Sequence, residues 1–220
     1  QPIMDAIVAA NAGSVSSYGG DGVTQRLDAA FSRLFETEVA VMPVVTGTAA
    51  NALALATFVP SYGAVYCHAH AHINLEEAGA PEFYSGGAKL VSIEGDHAKY
   101  DVKALARSLD AVPPNFVHMA KPAVVSLTQS SELGAVYALD EVRAIASLAH
   151  ERGLAMHMDG ARFANALVRL GCSPADLTWR AGVDVLSFGA TKNGALAAEA
   201  VVLFDTTKRE RLAYLHKRGG

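Results

Sequence analysis

Cysteine is scarce: Cys67 and Cys172 are the only two in 220 residues. That is too few for a disulfide scaffold and is the usage of a reducing compartment, so a cytoplasmic location is expected. A dominant charge is missing too. The formal net charge is -4, from 18 basic and 22 acidic side chains spread along the chain, which argues against nucleic acid as a partner and against an acidic disordered tail. No apolar run reaches the roughly 20 residues needed to cross a bilayer, and no basic-then-apolar leader opens the chain. A soluble protein with no membrane partner is therefore expected. There is no internal repeat, low-complexity tract or Gly/Ser-rich linker. The basic stretch from Lys208 to Arg218 reads as a solvated helix face.

What is present is a core. About half of the residues, 51%, are apolar, enough to bury one sizeable domain and too few residues for two. Runs rich in Val, Ile and aromatic residues at Val39 to Val45, Ala64 to Cys67, Lys89 to Ile93, Ala123 to Leu127, Leu154 to Met158 and Val185 to Phe188 alternate with segments of helical period. Such apolar strands are covered on both faces, so the expectation is an α/β fold with a mostly parallel sheet and crossover helices. The clearest helices are Val23 to Glu36, with a stripe of Leu27, Phe31 and Leu34, and Asp140 to Arg152, with Val142, Ile145 and Leu148. In the second, Asp140 is the expected cap and Gly153 the left-handed stop.

Three segments suggest chemistry. In Val44-Val45-Thr46-Gly47-Thr48-Ala49-Ala50-Asn51 an apolar strand turns into an alanine-rich helix. Its free amides, a close approach at Gly47 and the Thr48 hydroxyl would seat a phosphate; an ordinary capped turn is the plainer reading. In His157-Met158-Asp159-Gly160-Ala161-Arg162 a carboxylate ends a hydrophobic strand. There it can face a bound cation, or simply bond its own backbone in an Asp-Gly turn. In Phe188-Gly189-Ala190-Thr191-Lys192-Asn193-Gly194 a lysine follows another buried strand among small residues. A partly dry crevice would let it lose its proton and react with an aldehyde; the alternative is a surface loop.

One cofactor needs all three at once. Pyridoxal 5'-phosphate has a phosphate, a ring nitrogen that takes a carboxylate partner, and an aldehyde that takes an amine. A fourth segment, Cys67-His68-Ala69-His70-Ala71-His72, keeps a rival open, because alternate histidines at a strand end share a face and can ligate metal. A metal-dependent hydrolase using His68, His70, His157 and Asp159 would leave Gly47, Thr48 and Lys192 without a role.

In order, Tyr18-Gly-Gly-Asp21, Thr46-Gly-Thr-Ala-Ala-Asn51, Ala71-His72 with Glu77-Ala-Gly79, His157-Met-Asp-Gly-Ala-Arg162 and Thr191-Lys-Asn-Gly194 resemble the threonine aldolase and β-eliminating lyase family. The resemblance implies the large domain of a fold-type-I, aspartate aminotransferase-like, three-layer αβα enzyme with a mostly parallel seven-stranded sheet. Residues 1–205 would form that domain, and 206–220 would begin the connection to a smaller C-terminal domain. The chain opens on Gln1 and reads as a fragment.

The resemblance also implies the roles. Lys192 would bind the cofactor covalently, Asp159 would pair with the ring nitrogen, and Gly47, Thr48 and Thr191 would contact the cofactor. His72 would stack on its ring and approach the substrate hydroxyl. Arg162 would touch the cofactor or the substrate carboxylate, and Tyr18 and Glu77 would lie at the substrate or a subunit interface. No metal is implied. The implied reaction is retro-aldol cleavage of L-threonine, L-allo-threonine or phenylserine to glycine and an aldehyde, by a homodimer or homotetramer. β-Elimination and an inactive cofactor-binding fragment are the alternatives.

Overall fold

Strands and helices alternate through most of the chain. The computed structural model describes residues 1–219, with strands β1 (Ala40–Val44), β2 (Gly63–His68), β3 (Lys89–Ile93), β4 (Lys121–Thr128), β5 (Ala155–Gly160), β6 (Val185–Gly189) and β7 (Glu199–Leu203). The helices are α1 (Pro2–Ala10), α2 (Leu27–Phe35), α3 (Gly47–Phe58), α4 (His72–Leu75), α5 (Ala80–Ser85), α6 (Val102–Asp110), α7 (Leu139–Glu151), α8 (Phe163–Leu170), α9 (Pro174–Leu177) and α10 (Arg209–Gly219). All seven strands form one sheet in the order β1-β7-β6-β5-β4-β2-β3. The pairs from β3 through β6 are parallel, and β7 runs antiparallel to both of its neighbours.

Helices cover the two faces. On one side α3 packs on β6 and β7 with α5 and α10 outside it; on the other, α2, α6, α7 and α9 cover the larger core. Residues 50–57 of α3 are buried all round. Its alanines fit it between sheet and outer helices, where larger side chains would hold the layers apart. Helix α10 belongs to the same body: Leu212 is buried, and Arg211 donates to the Ala56 carbonyl at 2.9 Å.

Two local expectations change. Leu27 and Phe31 pack against the core as read, but Leu34 is 45% exposed. The stripe instead turns toward Phe35, whose ring meets Phe204 edge-on at 5.2 Å. Asp140 does not cap α7. The helix begins one residue earlier, with Ala138 in the cap position. Glu141 accepts the Ala138 N–H at 2.7 Å, while Asp140 pairs with Arg143 on the surface at 2.9 Å. Gly153 takes the expected left-handed stop at φ +71°.

Candidate active-site cleft

At the carboxyl ends of β4, β5 and β6 a cleft of about 700 Å³ opens, lined by Gly47, Thr48, His72, Asp159, Arg162, Thr191 and Lys192 among others. Ligand crevices in open α/β sheets form at this end of the strands. Seven of the nine proposed site residues thus meet in one place. The other two lie elsewhere: Glu77 is buried behind His72, and Tyr18 stands 88% exposed, with Lys217 Nζ 3.8 Å from its ring centroid.

The anion seat follows from how α3 starts. Thr46 caps it, its Oγ1 accepting the Ala49 N–H at 3.1 Å, so the Thr48 hydroxyl is not used for the cap. The amides of Gly47 and Thr48 come before the first intrahelical bond, and the helix dipole adds positive potential there. Glu199 borders the seat from β7. A Cβ on Gly47 would sit 3.7 Å from Glu199 Oε2, and one on Gly189 only 2.8 Å from it, so Gly189 is where the backbone must stay bare.

Asp159 is held from two sides. Its Oδ1 accepts the Ala161 N–H at 2.9 Å, and its Oδ2 accepts from Asn51 Nδ2 at 2.9 Å. The carboxylate therefore bonds its own backbone while also lining the cleft. The Asp-Gly pair is not a turn, however, because Gly160 is still in β5. A Cβ there would lie 2.6 Å from Leu186 Cδ1 and 2.9 Å from the Ser187 carbonyl, so glycine serves close packing of β5 on β6.

The same Asn51 nitrogen donates to Glu77 Oε1 at 2.7 Å, and that oxygen is 2.8 Å from His72 Nδ1. Burial raises the Glu77 carboxyl above its ordinary range, partly offset by the Asn51 and His72 hydrogen bonds. The His72 ring is half-buried at the start of α4, and its backbone N–H donates to Glu132 Oε1 at 2.9 Å. Glu132 also accepts from the Thr128 hydroxyl at 2.8 Å, which fixes the loop after β4 against the cleft.

Lys192 sits in a single turn after β6 and is exposed along the cleft wall. The dry crevice expected around it is not supplied by these residues, because Lys192 is exposed. Thr191 Oγ1 accepts the Ala198 N–H at 3.1 Å, tying that turn to β7. Among the histidines, His68 bonds the Gly95 carbonyl at 3.0 Å and accepts the His70 N–H at 2.9 Å. His157 lies between Ser126 Oγ and Ser187 Oγ at 2.8 and 2.9 Å. These bonds occupy His68 and His157, and no group of three metal-ligating side chains forms among the described residues.

His157 has a consequence for acid stability. Burial lowers its pKa to about 4, opposed by the Asp159 charge, so the ring is neutral in the folded protein. With an unfolded value near 6.5, its contribution is intact above about pH 6.5 and is lost as the pH falls toward 4. The span corresponds to about 3 kcal/mol. Urea unfolding between pH 7 and 4 is expected to show this loss, and His157→Gln to flatten it.

Asn51, Glu132, Glu199 and the Ser126/Ser187 pair were not singled out from sequence. Asn51 had a signal, being one of few polar residues in an otherwise apolar helix. Glu199 could have been found from the run Ala200 to Phe204, which marks β7. Glu132 had none, since its place depends on the path of a loop.

The β-eliminating lyase family model matches residues 1–220. A low specificity L-threonine aldolase of Pseudomonas aeruginosa is 46% identical over 98% of the chain and 62% of its own length. Among solved structures, a Leishmania major threonine aldolase superposes with a TM-score of 0.91 at 26% identity, over 100% of this chain and 63% of that one. An aspartate aminotransferase from Rhodobacter sphaeroides shares the fold at 18% identity and a TM-score of 0.69. The chain spans about three fifths of the length of these first two relatives. It has the fold-type-I architecture, and with the family model matched from end to end, it belongs to the beta-eliminating lyase family.

Proposed function

We propose that the protein carrying this chain is a pyridoxal-phosphate-dependent aldehyde-lyase that cleaves a 3-hydroxy amino acid to glycine and an aldehyde. The observation that carries this is the convergence of three unlike groups on one cleft: the start of α3, buried Asp159 and Lys192. The donor set fits the cofactor. Free amides at Gly47 and Thr48 suit its phosphate, Asp159 suits a protonated ring nitrogen, and Lys192 suits an aldehyde. When bound, the cofactor supplies an electron-withdrawing ring that accommodates the electron pair left at the substrate Cα.

The chain's own residues do the rest. Arg162, on the cleft wall at the start of α8, offers a fork of donors to a carboxylate or a phenolic oxygen. In this reading His72 Nε2, or a water it positions, takes the proton from the substrate 3-hydroxyl, and the aldehyde leaves as the Cα–Cβ bond breaks. The 46% identity to an enzyme named for L-threonine favours threonine-type substrates; L-allo-threonine and phenylserine present the same reacting atoms.

Self-association into a dimer or tetramer belongs to this reading. Helix α1 buries no residue, yet it presents Ile3, Met4, Ile7 and Val8 to solvent, with Tyr18 beyond it. A second copy would cover that surface. Two unpaired cysteines suit the reducing cytoplasm.

The test is direct. After incubation with pyridoxal phosphate and desalting, the protein is expected to keep a visible absorption band that borohydride removes, and to form glycine from L-threonine, L-allo-threonine or phenylserine. A folded protein with no such band sinks the cofactor assignment. A keto acid and ammonia in place of glycine would make it a β-eliminating enzyme instead.

A further inference from the structure

Behind His72 lies a chain of buried polar groups that the reaction does not touch. Glu77 is buried with its side chain fully covered, and Asn51 is 2% exposed. Glu77 does not line the cleft and Asn51 reaches only its wall, and burying both groups is costly wherever their hydrogen bonding is incomplete. Among the described residues Glu77 Oε2 and Asn51 Oδ1 have no hydrogen-bond partner, so the pairing of these two groups is incomplete.

We propose that Glu77 and Asn51 are positioning residues: Glu77 holds the His72 ring as its Nδ1–H tautomer with Nε2 free for the substrate hydroxyl, and Asn51 fixes Glu77 to Asp159. This rests on the aldolase reading for its catalytic meaning.

Two carboxylates compete for the ring. Glu77 Oε1 stands 2.8 Å from Nδ1 in a covered site. Glu76 Oε2 is 3.4 Å from Nε2, on a side chain 68% exposed. Hydrogen bonds weaken steeply with length, and exposed ion pairs are screened, so the proton stays on Nδ1, facing Glu77. A neutral imidazole protonated at Nδ1 is a base at Nε2.

Asn51 supplies the second half. Its one amide nitrogen uses both hydrogens, at 2.7 Å to Glu77 and 2.9 Å to Asp159. The amide thus sets the spacing between the group facing the ring nitrogen and the group holding the base.

The measurement is the His72 tautomer, read from nitrogen-15 shifts in the full protein labelled at its histidines. The signal, one of eight, is assigned with His72→Asn. The Nδ1–H form is expected in the unsubstituted protein, and finding Nε2–H there overturns the proposal without any variant. Glu77→Gln keeps an acceptor at the Oε1 position and is expected to retain the Nδ1–H form. Glu77→Leu removes the acceptor, and most of the population is expected to shift. Glu76→Gln is expected to leave the tautomer unchanged.

In turnover, Glu77→Leu should lower kcat roughly 10- to 100-fold with cofactor affinity within about threefold. Asn51→Ala should weaken cofactor binding as well, because Asp159 loses a donor. Retention of the Nδ1–H form in folded Glu77→Leu would overturn the proposal. The tautomer is read without cofactor, so a protein that bound no pyridoxal phosphate would sink the aldolase reading while this assignment still stood or fell on its own spectrum.

Discussion

Lys192→Ala is expected to lower glycine formation on the order of 10³-fold or more, the scale on which loss of an active-site nucleophile acts, while leaving stability nearly unchanged. The two halves of that expectation have separate causes. Lys192 is exposed on a turn at the end of the sheet, and substitutions at such positions typically change stability by less than about 0.5 kcal/mol. Its amine, by contrast, is the lysine that the cleft offers to an aldehyde. Borohydride treatment followed by peptide mapping should place the cofactor on the peptide containing Lys192 and nowhere else. Lys103→Ala, on exposed α6 residue 103, should leave both label and turnover unchanged. A Lys192→Ala protein that kept a borohydride-fixed label and normal turnover would show that another amine does the work.

The parallel part of the sheet could be read from composition because β2 and β4 through β6 are buried on both faces, and burial on both faces writes a continuous apolar run into the sequence. Strand β7 was not read residue by residue. It follows a loop of small residues, and its antiparallel place between β1 and β6 comes from topology, which local period does not encode.

The site was legible to the extent that each group needed a local device. Gly47 and Thr48 belong to a helix start and Asp159 to a strand end, and both devices are short in sequence. Glu77 was legible only as a residue type. Its position behind His72, and its link to Asn51 across 26 positions, arise when α3 and the segment after β2 are laid side by side. Contacts of that kind depend on packing and leave no periodic trace.

Asp159→Asn should be nearly as damaging to turnover as Lys192→Ala, but through charge and with a cost in stability. A carboxylate about 3 Å from a protonated ring nitrogen, at an effective dielectric near 20, is worth on the order of 5 kcal/mol before desolvation. Burial of Asp159 to 4% exposure takes back part of that, so a loss of roughly 10²- to 10³-fold in kcat is expected. The neutral amide creates a second difficulty. Both carboxylate oxygens already accept a donor, the Ala161 N–H on one side and the Asn51 amide on the other. An asparagine has one acceptor, so one of its hydrogens must face another donor, costing about 1–3 kcal/mol. Urea unfolding of Asp159→Asn should therefore show reduced stability even without cofactor, whereas Lys192→Ala should not. If Asp159→Asn kept kcat within about threefold, the carboxylate would be a structural tie between β5 and α3, and the ring-nitrogen role would fall with it.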